Sequence, residues 1–184
     1  KGHSYETRIS TRTSQKSGCP YCSGNKVCDD NNLLILFPEI AKEWHPTKNK
    51  DLKPSQFTRG TNKKVWWLCS KGHSFNSNIN NRTGDQKKGC PYCSNRRVGY
   101  GNSLADAYPE VAKWWFQPLN EGVTPSNITF GSGGKYWFTC KNNHVRKRSV
   151  VDLTTGGRKC GHCPGPGRGR KYTRPKELDE IKGY

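Results

Sequence analysis

The sequence predicts a small, metal-stapled α+β protein made of tandem repeats, each a short helix plus a clamped β-hairpin, and three observations lead there. A cysteine and histidine pattern is written three times: Cys69, His73, Cys90 and Cys93; Cys140, His144, Cys160 and Cys163; and, lacking its opening cysteine, His3, Cys19 and Cys22. Hydrophobic residues make up only 30% of the 184 positions, too few for units of about 70 residues to fold on apolar burial alone. The net charge is +18, from 32 Lys and Arg against 14 Asp and Glu, which points to an anionic partner.

The pattern reads Cys, three residues, His, then, after 15 or 16 more, Cys-x-x-Cys. Three thiolates and one imidazole are the soft donor set of tetrahedral zinc. Four protein ligands close such a site and make it structural, whereas a catalytic zinc keeps a position open for water. The expected cofactor is therefore zinc, in two complete sites and one truncated site. Disulfides are the alternative, but a His at fixed offset and an odd total of nine cysteines favour metal. Thiolate ligands imply a reducing compartment: cytosol, nucleus, organelle matrix or virion interior. Cys28 is the ninth cysteine, either an ordinary thiol or a replacement for the missing ligand.

The ligands sit inside a longer repeat. At an offset of 71, Leu33 pairs with Leu104, Pro38 with Pro109, Glu39 with Glu110, Trp44 with Trp115, Asn49 with Asn120 and Trp66 with Trp137. The resulting organisation is a truncated first repeat (1–28), a second (29–98), a third (99–163) and a basic Pro/Gly-rich tail (164–184). "KGHSYETRISTRT" matches "KGHSFNSNINNRT", so the cysteine equivalent to Cys69 is expected two residues before Lys1, and the chain reads as a piece of something longer.

"PEIAKEWHPTKN", "KKVWWLCSKGHSFNSNINNRTG" and "GCPYC" resemble the tandem zinc-ribbon, treble-clef-like repeats of bacterial, phage, giant-virus and algal or plant proteins. The resemblance covers residues 1 to 163. It implies zinc at the eleven ligands named above and, as an expectation, nucleic-acid binding; such repeats often adjoin endonuclease domains. The third unit departs most, with "CKNNH" for "CSKGH" and "CGHC" for "CPYC", while keeping every ligand.

Local signals fill in each unit. Ser103 followed by Asp106 is a capping signal, and Pro109 suits the first turn of a helix running to about residue 115, with residues 38–44 as its counterpart. "KKVWWLC" and "GKYWFTC" are aromatic, β-branched runs that suit strands ending in a ligand, and a partner strand is expected at 74–80. A treble clef, with the knuckles arranged around a helix, is the alternative arrangement. In the tail, "PGPGRGRKYTRP" reads as a mobile basic arm. "KELDEIKGY", with Leu178 and Ile181 on one face, opens a further domain or docks as a peptide.

Basic residues recur beside the knuckles: Arg8, Arg12 and Lys16; Arg82, Lys87, Lys88, Arg96 and Arg97; Arg146, Lys147, Arg148, Arg158 and Lys159; then Arg168, Arg170 and Lys171 in the tail. These are the candidate nucleic-acid contacts, because neutralised phosphates release condensed counterions. The outward rings of "VWWL" and "KYWF" are candidates for base stacking, with core packing as the default role. Tyr21, Tyr92 and His162 lie at the knuckle tips. His45 is paired in the repeat with Phe116, and no acidic cluster surrounds it, so no catalytic residue is assigned and any nuclease activity is expected outside the chain. The function expected is a non-catalytic, zinc-binding, nucleic-acid-binding array, DNA or RNA; the alternative is a zinc-stiffened component of a large particle such as a viral capsid or organellar ribosome.

Overall fold

The computed structural model describes residues 1–85, 87–156, 160, 162–163 and 171–181. Its first element is a single turn, α1 (Ile9–Thr13). The second repeat opens with α2 (Leu33–Leu36) and α3 (Pro38–Lys42) and continues into β1 (Lys64–Leu68), β2 (Ser74–Asn78) and α4 (Ile79–Thr83). The third repeats this as α5 (Leu104–Ala107), α6 (Pro109–Ala112), β3 (Lys135–Phe138), β4 (Arg146–Ser149) and α7 (Val150–Thr155).

The single opening helix expected from sequence is in fact two turns. Proline at the start of α3 and α6 has no amide hydrogen to continue the ladder and forces its predecessor out of the helical region. Phe37 (φ −138°, ψ 59°) and Tyr108 (φ −139°, ψ 64°) take up the same kink. The preceding turns are capped as their sequences suggest: Asn32 Oδ1 accepts from the Ile35 amide at 3.2 Å, and Ser103 Oγ accepts from the Asp106 amide at 3.1 Å.

Both hairpins are antiparallel, with Trp66 opposite Asn76 and Trp137 opposite Lys147. A two-stranded hairpin is marginal alone, and each is widened by the chain that follows the opening helices. Leu68 donates to the Glu43 carbonyl at 2.7 Å and Thr139 to that of Trp114 at 2.7 Å. The side-chain amide of Asn49 then pairs with both backbone groups of Trp66, and Asn120 does the same with Trp137 at 2.7 and 2.9 Å. One asparagine thus substitutes for a strand residue in each repeat.

The turns after the hairpins, α4 and α7, were not foreseen. Ile79 and Val150 drop into the core fully buried, and the Thr83 and Thr154 hydroxyls donate to carbonyls of Arg59 and Phe130. The core itself is aromatic. Trp44 meets Trp67 edge to face at 5.4 Å, and Trp115 meets Phe138 in the same way at 5.2 Å. Strand alternation buries Trp67 and Phe138 and leaves Trp66 and Trp137 half-buried on the other side.

The chain divides into two compact units, Lys1–Cys90 and Pro91–Tyr184. In the second, the described part of the tail docks. Leu178 is 3% exposed against Phe116 and Val145, with Ile181 and Trp137 alongside. Tyr172 accepts from the Val145 amide at 3.1 Å. The docked-peptide reading of 176–184 therefore holds for 176–181; the end of the expected mobile arm, 171–175, is a correction, since Tyr172 ties it to Val145, and residues 164–170 and 182–184 lie outside the described residues.

Candidate metal centres

Each hairpin turn delivers a cysteine and a histidine. Gly72 donates to the Cys69 carbonyl at 2.8 Å and Cys69 to that of His73 at 3.2 Å, with Gly72 at φ +79°. The residue before the histidine is left-handed in all three repeats: Gly2 (φ +69°), Gly72 and Asn143 (φ +55°). Asparagine is among the few side chains that tolerate this region, so "CKNNH" keeps the geometry of "CSKGH".

The first two Cys-x-x-Cys knuckles are braced from behind by one asparagine each. Asn31 donates to the carbonyls of Tyr21 (2.7 Å) and Lys26 (2.8 Å) and accepts from the Cys28 amide. Asn102 donates to those of Tyr92 (3.0 Å) and Arg97 (2.9 Å) and accepts from the Gly99 amide.

Two groups of four ligand atoms result, Cys69, His73, Cys90 and Cys93, and Cys140, His144, Cys160 and Cys163, each with its atoms within 4.8 Å of one another. Zinc–sulfur bonds of about 2.3 Å and zinc–nitrogen bonds of about 2.05 Å give tetrahedral edges of about 3.8 Å (S to S) and about 3.6 Å (S to N). In the third repeat Cys140 and Cys163 are 3.5 Å apart, and His144 Nδ1 lies 3.6 and 3.7 Å from Cys160 and Cys163. In the second, His73 Nδ1 is 3.6 Å from Cys90. None of the nine cysteines is in a disulfide. Burial raises the Cys160 thiol, but amide donors of the knuckle and His144 outweigh it and hold it at about 6, whereas burial and the neighbouring sulfurs push Cys163 up to about 11. The donor set fits zinc, and zinc bound there supplies folding energy rather than chemistry.

A third group is partial: His3 Nδ1 lies 3.3 Å from Cys22 and 3.6 Å from Cys19. Cys28 does not join it. It approaches the other ring nitrogen, 3.8 Å from Nε2, and donates to Asp30 at 2.9 Å. With His3 and Asp30 it forms a separate group of possible ligands on the far side of the ring, which favours the ordinary-thiol reading over replacement of the missing cysteine. Asp30, 3.3 Å from Nε2, is placed to orient the imidazole, the usual partner of a metal-ligating histidine.

The basic candidates divide. Arg8, Arg12, Lys16, Lys87, Lys88, Arg96, Arg97, Lys147 and Lys171 are exposed, and Arg146 and Arg148 half-buried. Arg82 is a correction: it is buried, ion-paired with Glu43 at 2.6 Å, and lies over the rings of Trp67 and Phe75. The repeat carries the clue, since at the same offset Glu43 becomes Trp114 and Arg82 becomes Leu153. The three basic residues of β4 also do not form one patch, because strand alternation puts Lys147 opposite Trp137 and faces Arg146 and Arg148 the other way. Arg158, Lys159, Arg168 and Arg170 lie outside the described residues.

The knuckle tyrosines are half-buried: Tyr21 packs on His3 and Tyr92 meets Tyr100 at 4.8 Å. His162 lies 5.5 Å from the Tyr172 ring. His45 is structural. Its Nδ1 accepts from the Thr47 and Lys48 amides at 3.3 Å, so Nε2 carries the hydrogen given to Ser74 Oγ at 2.8 Å.

Short helical turns, a small hairpin and two Cys3His groups per chain define a tandem zinc-binding module of the treble-clef class. The chain belongs to the family described as the probable treble clef zinc finger domain, whose model matches residues 40–96 and 111–166. No curated protein matches it. No helix among the described residues is long and apolar enough to cross a membrane.

Proposed function

We propose that this zinc-binding array binds nucleic acid, DNA or RNA, chiefly through phosphates, is not itself catalytic, and works in a reducing compartment. The carrying observation is charge: +18 over the chain, about +16 once each complete Cys3His site holds a dication. Support comes from the exposure of Arg8, Arg12, Lys16, Lys87, Lys88, Arg96 and Arg97 beside the knuckles in sequence. On α3 and α6, by contrast, Lys42 and Lys113 are paired with Glu39 and Glu110 on the same turn.

Fluorescence anisotropy with a labelled polynucleotide, titrated in salt, tests the reading. Replacing Lys87, Lys88, Arg96 and Arg97 by Ala lowers affinity for all sequences and flattens the log–log salt slope by up to ~4 units, about 0.9 per lost contact. Replacing Lys42 and Lys113 leaves the slope unchanged. Absence of binding at ~100 mM salt transfers the chain to the alternative of a particle component.

A further inference from the structure

Beside β3 of the third repeat lies an open cleft of about 360 Å³, walled by Trp137, Lys135, Lys147, Leu119, Glu121 and Val123 among others. That volume is at the small end of ligand sites. Its composition follows from the hairpin: Lys135 and Trp137 are two apart on one strand and share a face, and Lys147 is the cross-strand partner of Trp137. The opposite wall is the chain at 117–123, held rigidly. Asn120 pairs with the Trp137 backbone, and Gln117 Nε2 donates to the carbonyls of Asn120 (3.2 Å) and Val123 (3.3 Å).

The second repeat handles the same place differently. There Lys48 sits 4.5 Å above the Trp66 ring. Its counterpart is Leu119, and among the described residues the cation over the Trp137 ring is Lys147, 5.8 Å from the ring centre, the outer limit of such contacts. The third repeat thus joins an aromatic wall and apolar flanks to two ammonium groups, with a carboxylate on the loop.

We propose that this cleft seats one unpaired nucleotide, its base against the Trp137 indole and its phosphate held by Lys135 and Lys147. Stacking on an aromatic ring serves any base, and flanking cations follow the backbone. Glu121 accepts from an exocyclic amine and repels phosphate, so the two ends of the nucleotide are told apart. The inference rests on the nucleic-acid reading above and narrows it to single-stranded or unpaired segments, since a base inside a duplex has no free face to offer.

The test uses the zinc-loaded full chain, a short oligonucleotide carrying one 5-iodocytosine, and the same sequence as a duplex, at ~100 mM salt. The expected result is a photo-adduct on Trp137 with the single strand, and tighter binding of the single strand by ~10-fold. Lys135→Ala with Lys147→Ala erases most of that preference. Trp137→Phe, which keeps an aromatic ring beside Leu178, retains the preference in part. Equal affinity for duplex and single strand with no adduct at Trp137 overturns the cleft and leaves phosphate binding standing. Failure to bind either form overturns both.

Discussion

The Arg82–Glu43 pair makes an asymmetric prediction. Arg82 is 6% exposed and Glu43 32% exposed at the side chain, so the two partners depend on each other unequally. Glu43→Gln strands a guanidinium that has lost contact with water and whose Nη1 is already buried without an acceptor. Removing one partner of a buried pair costs about 3–5 kcal/mol. Arg82→Leu removes the buried charge itself and leaves a carboxylate that water still reaches. It forfeits two ring contacts, at 5.0 and 5.3 Å, worth about 1–2 kcal/mol each for a buried cation, and the leucine's own apolar burial restores about half of that. The expected cost is about 1–2 kcal/mol. The double change Glu43→Trp with Arg82→Leu installs the residues that stand at these positions in the third repeat, Trp114 and Leu153, and recovers part of the loss. Native-state amide exchange of β1 and β2 in zinc-saturated protein reads the second repeat alone. An Arg82→Leu cost equal to or above that of Glu43→Gln refutes the reasoning, as does a change in nucleic-acid salt slope on removing Arg82.

Three further outcomes follow from the same structure. A strong chelator melts the fold and reductant leaves it intact, and Cys160→Ser unfolds mainly the third repeat; zinc analysis and amide exchange check both, with two tightly bound ions expected. His45 is held below its ordinary range by burial, then by Lys48. Its neutral form is the folded one, so stability is full above about pH 6.5 and is lost as pH falls below that value, where the unfolded chain gains a proton first. His45→Phe, the residue of the third repeat, removes this acid dependence while the zinc ligands respond alike in both proteins, and the difference between their denaturation curves against pH isolates it. Leu178→Ala empties a site 3% exposed against Phe116 and Val145, costs about 2–4 kcal/mol, and is read by exchange at β4.

The zinc ligands were legible because metal chemistry dictates residue identity, and the offset of 71 that aligns Asn49 with Asn120 picked out a structural device before its role was visible. The split opening helix was half legible. Pro109 fits a first turn, as read, but the same ring also rules out a helical Tyr108, and the second rule prevailed. Turns α4 and α7 were hidden, since "INNRTG" has no helical period and is held by Ile79 in the core and a threonine hydroxyl reaching across the loop. Arg82 was misassigned because charge counting takes every arginine to be at the surface; only comparison with Leu153 exposes it. The face of Leu178 and Ile181 was visible, yet its receptor comes from Phe116 and Val145, far away in sequence.

The lone amide that stands in for a strand has a consequence for how these repeats diverge. A true third strand would tie several consecutive residues to a pleat and dictate their alternation. Here the backbone pairs only up to His45 and Phe116, and beyond them one asparagine side chain carries the pairing, so the residues around it are released from the ladder. Thr47, Lys48 and Lys50 of one repeat become Pro118, Leu119 and Glu121 of the next while Asn49 and Asn120 make the same bonds. The scaffold therefore keeps one short stretch per repeat whose chemistry can be rewritten without refolding, and a string of such units can present a different surface at each step.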